Sequence, residues 1–363
     1  MIIIIKFNRR LKKKILITGG LGFIGSHTSL KLLDNNYEII ILDNLSNSKI
    51  KVIKRIKELA KKDFKFIKGD IRDRRLLRKL FKNNLVDSVI HFAGLKAAGE
   101  SEKYPLDYYD NNVIGSMVLL QEMKKANVKS IIFSSSASVY GNAPTVKCTE
   151  ETQLNPISVY GKTKLIIEDM LKNIYKSSPE WKIINLRYFS PIGAHSTGII
   201  GEDYRNKPTN LIPFITDVAL GKKDQLLVFG DDYNTNDGTG KRDYIHIEDL
   251  ARGHLFALEK LSKESNICRD IDARFIHVST DEVFCSLGPR GKFDSVPHRK
   301  YVERLEKRNN FLIASHHPLR ETLIRQTGES YLKRHQFLQD CLNTARKYQP
   351  SVWQSEEEGE PSF

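Results

Sequence analysis

The chain has 363 residues but only four cysteines, two tryptophans and four methionines. Cys148, Cys268, Cys285 and Cys341 stand far apart, without the spacing of metal ligands. That excludes a zinc-ribbon or disulfide-framed module and points to a reducing, cytoplasmic compartment with no metal. No apolar run reaches membrane-spanning length, so no membrane partner is expected. Met1 to Lys14 holds four consecutive isoleucines followed by bases, the wrong order and length for a secretory leader. It reads as a basic N-terminal extension, residues 1–14. Acids are in the minority, 44 against 58 lysines and arginines, for a net charge of +14. The excess is spread along amphipathic stretches such as Lys49 to Lys62, with no basic-aromatic recognition motif, so nucleic acid is not the expected partner. Some excess positive charge suits an anionic nucleotide.

What is present begins with Ile15-Leu16-Ile17-Thr18-Gly19-Gly20-Leu21-Gly22-Phe23-Ile24-Gly25. The β-branched run predicts a buried strand, and the glycines allow a tight turn whose backbone can approach a pyrophosphate. Ser26 to Leu33 then reads as a helix whose N-terminus faces the phosphates. The Gly19-x-x-Gly22-x-x-Gly25 spacing is wider than the usual dinucleotide fingerprint, so context decides its meaning. A second strand, Glu38 to Leu42, ends in Asp43, close to the distance expected for a carboxylate on the adenosine ribose. An acid there favours NAD over NADP, whose extra phosphate it would repel. A strand-ending turn residue is the plainer reading of the same aspartate.

Two further words carry chemistry: Ser134-Ser135-Ser136-Ala137-Ser138-Val139-Tyr140-Gly141, then Tyr160-Gly161-Lys162-Thr163-Lys164. A tyrosine and a lysine four apart on a helix point the same way. An ammonium beside a phenol favours the phenolate, which would make Tyr160 a general base near neutrality. A hydroxyl ending the serine strand could relay a proton between that tyrosine and an alcohol or sugar hydroxyl. Alone, Tyr-x-x-x-Lys is common on solvated helix faces; the glycine turn upstream makes it informative.

Strand patterns near 15–18, 38–43, 64–68, 87–92 and 130–134, each followed by a helical stretch or loop, predict an α/β fold with a doubly wound parallel sheet. Gly69-Asp70-Ile71 and His91-Phe92-Ala93-Gly94-Leu95-Lys96 then fall at carboxyl ends of strands, where such sheets bind ligands. Another strand is expected over Trp181 to Tyr188. Residues 190 to about 245 are rich in Gly, Pro, Asp and Asn and read as substrate-site loops with one or two short helices. The expected division is 15–189 for the dinucleotide part, 190–262 for a smaller substrate part and 263–363 for an atypical C-terminal region. That tail holds five isoleucines but half of the ten histidines.

From about Ile15 to Leu261 these residues resemble the UDP-glucose 4-epimerases of the extended short-chain dehydrogenase/reductase superfamily. The resemblance is carried by Thr18 to His27, Phe92-Ala-Gly-Leu-Lys-Ala-Ala-Gly-Glu-Ser101, Tyr109-Asp-Asn-Asn-Val113, Arg187-Tyr-Phe-Ser-Pro-Ile-Gly-Ala-His195 and Asp237-Gly-Thr-Gly-Lys-Arg-Asp-Tyr-Ile-His246, in family order. It implies interconversion of UDP-galactose and UDP-glucose through a 4-keto sugar, with NAD kept bound. It implies Tyr160 as base, Lys164 as its electrostatic partner and ribose ligand, and Ser136 as the relaying hydroxyl. For NAD it implies Gly19, Gly22, Phe23, Ile24, Gly25, Asp43, Asn44, Asp70, Ile71, Phe92, Ala93, Gly94, Lys96, Asn111, Ser134, Tyr160, Lys164 and Tyr188. For the UDP-sugar it implies Ser136, Ser190, Asn210, Leu211, Phe229 and Arg242, and for the assembly a homodimer.

Two departures stand out. Ser190 occupies the place of a usual asparagine, removing an amide expected to bond the diphosphate. After Leu261 the family's continuation is missing. Instead, Arg274 to Phe293 resembles a strand and loop of dTDP-glucose 4,6-dehydratases, including Thr280-Asp281-Glu282, and Phe275 to Phe284 echoes Ile131 to Tyr140. No Tyr-x-x-x-Lys follows the echo, so it reads as a structural strand or a spliced fragment rather than a second site. Periodicity over Ser330 to Tyr348 predicts an amphipathic helix, before an acidic end. The alternatives are another NAD-dependent nucleotide-sugar enzyme of the dehydratase kind, and a dinucleotide-binding protein without turnover. The first is disfavoured because Ala137 and Ser138 stand where the complete site would need Asp and Glu.

Overall fold

The structure, a computed structural model, describes residues 13–142, 148–205, 208–227, 243–263 and 275–278. Strands form where the β-branched runs predict them: β1 (Lys14–Thr18), β2 (Glu38–Asp43), β3 (Lys65–Lys68), β4 (Ser88–His91), β5 (Ser130–Ser134) and β6 (Lys182–Tyr188). Their order is β3-β2-β1-β4-β5-β6, and every pairing is parallel. Parallel strands need crossover connections, and the intervening helices supply them. These are α1 (Phe23–Asp34), α2 (Lys51–Ala60), α3 (Arg74–Asn83), the short α4 (Ala98–Lys103) and α5 (Pro105–Tyr108), α6 (Gly115–Lys125) and α7 (Val159–Ser177). A π-helical turn, Tyr109–Ile114, joins α5 to α6.

Alternation along the central strands splits the core into two layers. Ile15, Ile17, Ile39 and Ile41 pack on one face with Leu30, Leu33 and Ile56. Leu16, Ile40 and Leu42 pack on the other with Leu77, Leu119, Ile167 and Trp181. Full burial of each such side chain contributes roughly 1.5–3 kcal/mol, so the sheet is the rigid part on which the site is built. Helix starts are fixed locally. The Asp73 carboxylate accepts from the Leu76 amide to open α3, and the Ser158 hydroxyl accepts from the Gly161 amide to open α7.

After β6 come β7 (Ser190–Ile192), α8 (Leu211–Ala219), β8 (Tyr244–His246) and α9 (Ile247–Lys263). The strands β7 and β8 pair in a separate two-stranded sheet, while Leu250, Leu255 and Leu258 of α9 join the α1 layer. A last strand, β9 (Phe275–Val278), runs parallel to β6 from Asn185↔Phe275 to Tyr188↔Val278 and makes the sheet seven-stranded. The first four residues of the segment that echoes Ile131 to Tyr140 therefore supply an edge strand. Thr280, Asp281, Glu282, the expected helix over 330–348 and the extension before Lys13 lie outside the described residues. Among the described residues no helix is long and apolar enough to cross a membrane.

Candidate active site

The glycine turn sits between β1 and α1, wrapped against its own backbone. Gly19 has φ +67°, and a Cβ there would lie 2.7 Å from the Ala93 nitrogen. At Gly25 a Cβ would lie 2.3 Å from the Gly19 oxygen and 2.7 Å from the Gly20 Cα, both immovable backbone. Gly22 precedes Phe23 and Ile24 without any side-chain cap, so the first amides of α1 are left to an external acceptor. Asp43, at the end of β2, accepts from the Leu21 amide (3.0 Å), the Leu45 amide (2.9 Å) and the Ser48 hydroxyl (2.8 Å). A carboxylate offers about four lone-pair positions, which leaves room for a ribose hydroxyl. Asp43 thus fixes the turn, the plainer of its two readings.

The other strand ends converge on the same edge. The Asn44 amide donates to Asp70 (3.1 Å), and Arg72 grips both Asp70 oxygens (2.9 and 2.7 Å), which holds that carboxyl down to about 2. Ile71 is buried beneath Gly115, where a Cβ would meet its Cδ1 at 2.6 Å. Phe92 stacks obliquely on His254 at 4.8 Å, and the Ala93 amide donates to Thr18 at 3.3 Å. A Cβ on Gly94 would come within 3.3 Å of Asn112 Oδ1 and 3.8 Å of Lys164 Nζ. Asn111 donates to Asn112 (2.9 Å), and the Lys96 ammonium pairs with Glu202 at 3.1 Å. A glycine cradle that any Cβ would fill, an uncapped helix start and a ribose-type carboxylate together fit a dinucleotide such as NAD.

Tyr160 and Lys164 lie on the first turns of α7, beside the end of β5. Lys164 is 5% exposed. Its ammonium donates to the Ser134 carbonyl at 2.8 Å and sits 4.9 Å from the Phe133 ring centre and 5.8 Å from that of Tyr160. Burial brings its pKa down to about 8, while the Glu168 carboxylate acts the other way. Ser136 opens the 3-10 turn Ala137–Tyr140, donates to the Ser138 hydroxyl at 3.1 Å and is hydrogen-bonded to the Tyr160 phenol. The hydroxyls of Ser134 and Tyr188 bond each other.

One expectation is corrected. The Tyr160 phenol is pushed up, not down: burial penalises the phenolate, and only the Ser136 hydrogen bond opposes it. The Lys164 ammonium is turned toward the Ser134 carbonyl, which limits what it does for the phenol in the chain alone. Of the substrate residues, Ser190 is exposed at the start of β7 and its amide donates to the Asp243 carbonyl at 3.3 Å. Asn210 precedes α8 and bonds Glu202, and Leu211 is 46% exposed. Glu202 thus joins Lys96 to Asn210. Phe229 and Arg242 lie outside the described residues.

Sequence reasoning gave no role to Glu168, Arg187 and Ser135. Glu168 and Arg187 are each 1% exposed and pair at 2.7 Å, with further contacts at 3.0 and 3.2 Å, and the Ser135 hydroxyl donates to Glu168. Leaving one member of such a pair alone costs about 3–5 kcal/mol. The available signal was a charged residue inside each of two apolar stretches, since a buried charge demands a partner.

Three comparisons bear on this arrangement. The pattern of the NAD dependent epimerase/dehydratase family matches residues 15–268. The chain is 55% identical over 251 residues to the UDP-glucose 4-epimerase of Neisseria meningitidis serogroup B, covering 69% of this chain and 74% of that protein. It is 51% identical over 247 residues to the UDP-glucose 4-epimerase of Bacillus subtilis, covering 68% and 73%. The fold matches the UDP-glucose 4-epimerase of Bifidobacterium longum, solved in complex with NAD+ and UDP, with a TM-score of 0.69 at 44% identity over 74% of this chain and 78% of that one.

Proposed function

The chain belongs to the NAD dependent epimerase/dehydratase family, and we propose that it interconverts UDP-galactose and UDP-glucose as an NAD-dependent UDP-glucose 4-epimerase. The observation that carries this reading is the meeting of Ser136, Tyr160 and Lys164 at the strand edge that also holds the Gly19–Gly25 turn. The Gly19–Gly25 turn and Asp43 would hold NAD, which would supply a hydride acceptor and donor for sugar carbon 4 and a positive charge beside Tyr160. Tyr160, through Ser136, removes the proton of the 4-hydroxyl and gives it back at the end. Lys164 keeps a buried ammonium 5.8 Å from that ring's centre, where charge acts more strongly than in water. Because burial raises the Tyr160 pKa in the chain alone, Lys164 and the cofactor's charge together have to offset it.

Ser190, Asn210, Leu211, Phe229 and Arg242 hold the UDP-sugar, Arg242 through a charge-assisted bond to the diphosphate. Residues 15–189 form the dinucleotide part and 190–262 the substrate part, with 263–363 appended. The enzyme works in the cytoplasm as a homodimer. Replacing Tyr160 by Phe keeps the ring's packing and removes the acid–base group, so kcat falls about a hundredfold to ten-thousandfold while NAD stays bound. The measurement is conversion of UDP-galactose to UDP-glucose beside a count of NAD released on denaturation. A variant within threefold of the parent would show that the proton goes elsewhere.

A further inference from the structure

Resting on that reading of Tyr160 and Lys164, we propose that Glu168 is a positioning residue of the site. Its carboxylate, one turn beyond Lys164, ties the serine strand end to α7, with Arg187 fixing its place. Glu168 lies one helical turn beyond Lys164 on the same face, and both are buried. Four hydrogen bonds define it. Arg187 of β6 approaches both carboxylate oxygens, the closest at 2.7 Å, and the Ser135 hydroxyl donates to it.

Ser135 is the link that makes this matter. It stands between Ser134, whose carbonyl receives the Lys164 ammonium, and Ser136, which bonds the Tyr160 phenol. A shift of Ser135 would therefore move the lysine's acceptor and the proton relay together. Arg187 is fixed in turn by the Tyr140 ring at 5.3 Å and the Glu150 carbonyl at 3.3 Å.

The groups around Lys164 come from several elements. Tyr160 and Glu168 share α7, His91 comes from β4, and Phe133 and Ser134 from β5, while Arg187 of β6 meets the group through its pair with Glu168. His91 is buried and brought down to about 3, first by burial and then by the Lys164 charge, so it stays neutral and adds no charge beside the lysine. Among these groups Glu168 is the one carboxylate, and it is the neighbour that opposes the effect of burial on Lys164.

The test is the pH profile of kcat/KM for Glu168→Gln. Activity needs the ammonium, so it is lost as pH rises through the Lys164 pKa. Removing the carboxylate lowers that pKa, and the alkaline limb moves toward neutral. Ser135→Ala keeps the carboxylate and is expected to lower kcat with the limb unmoved. A merely structural role for Glu168 would lower activity without moving the limb, and a limb coincident with the parent's overturns the proposal. Should Glu168→Gln fail to fold, Glu168→Gln combined with Arg187→Met removes the whole pair, a replacement that proteins tolerate better than a broken one. Losing the cation with the carboxylate leaves the net charge near Lys164 almost unchanged, so the readout there is kcat, expected to fall as in Ser135→Ala because Ser135 loses its acceptor, and a parental kcat overturns the proposal. Tyr160→Phe, run alongside, separates the two readings. Parental activity in that variant overturns the catalytic assignment and the positioning role with it. An inactive Tyr160→Phe beside an unmoved Glu168→Gln limb overturns the positioning role alone.

Discussion

At the scale of single residues, the site works by setting buried charges against one another. Lys164 is desolvated to about 8, Tyr160 is raised, and one hydrogen bond from Ser136 opposes that rise. The sequence words told which residues meet, because Tyr160 and Lys164 need only a helix to align. The direction of the Tyr160 shift was not legible, because it depends on how deeply the folded chain buries the phenol. Ser190 is the residue where a gain can be tested. It stands exposed at the head of β7, where the resembling family carries an asparagine. Ser190→Asn restores an amide donor, and one hydrogen bond is worth about 1 kcal/mol, or roughly fivefold in affinity. Calorimetric titration of UDP should show that tightening; equal affinities would place the diphosphate away from Ser190.

At the scale of elements, the β1-turn-α1 unit was the most legible part. Its apolar run, glycines and following helix are all contiguous, so local chemistry determines them. The space at Gly25 makes the strongest claim about it, since a methyl there would meet the Gly19 oxygen at 2.3 Å. Both partners are backbone and can yield only by opening the turn. Gly25→Ala should therefore lose most bound NAD, measured as nicotinamide nucleotide released on denaturation, while the far-UV spectrum keeps its α/β form. Parental NAD content would contradict the cradle. By contrast, the contact of α7 with β6 through Glu168 and Arg187 was hidden, because its members are 19 residues apart in chain and belong to different elements. Only the oddity of a charge in an apolar strand announced it.

At the scale of the whole molecule, alternating apolar runs were enough to predict the doubly wound sheet, and the parallel order follows from the helices between them. The seventh strand was less legible. Phe275–Val278 follows a break in family resemblance, yet it pairs with β6 where an edge would otherwise be open. An apolar β-branched word is enough to occupy such an edge, whatever chemistry its next residues served elsewhere. The central claim concerns the molecule as a unit: one bound NAD, one base and one pocket oxidise and re-reduce the same carbon. The most direct test gives the purified full chain UDP-galactose deuterated at carbon 4 and follows the product by mass and by NMR. The account predicts UDP-glucose with the deuterium still on carbon 4 and no net change in NAD. Absence of UDP-glucose, or UDP-glucose whose carbon 4 has exchanged its deuterium with solvent, would contradict it.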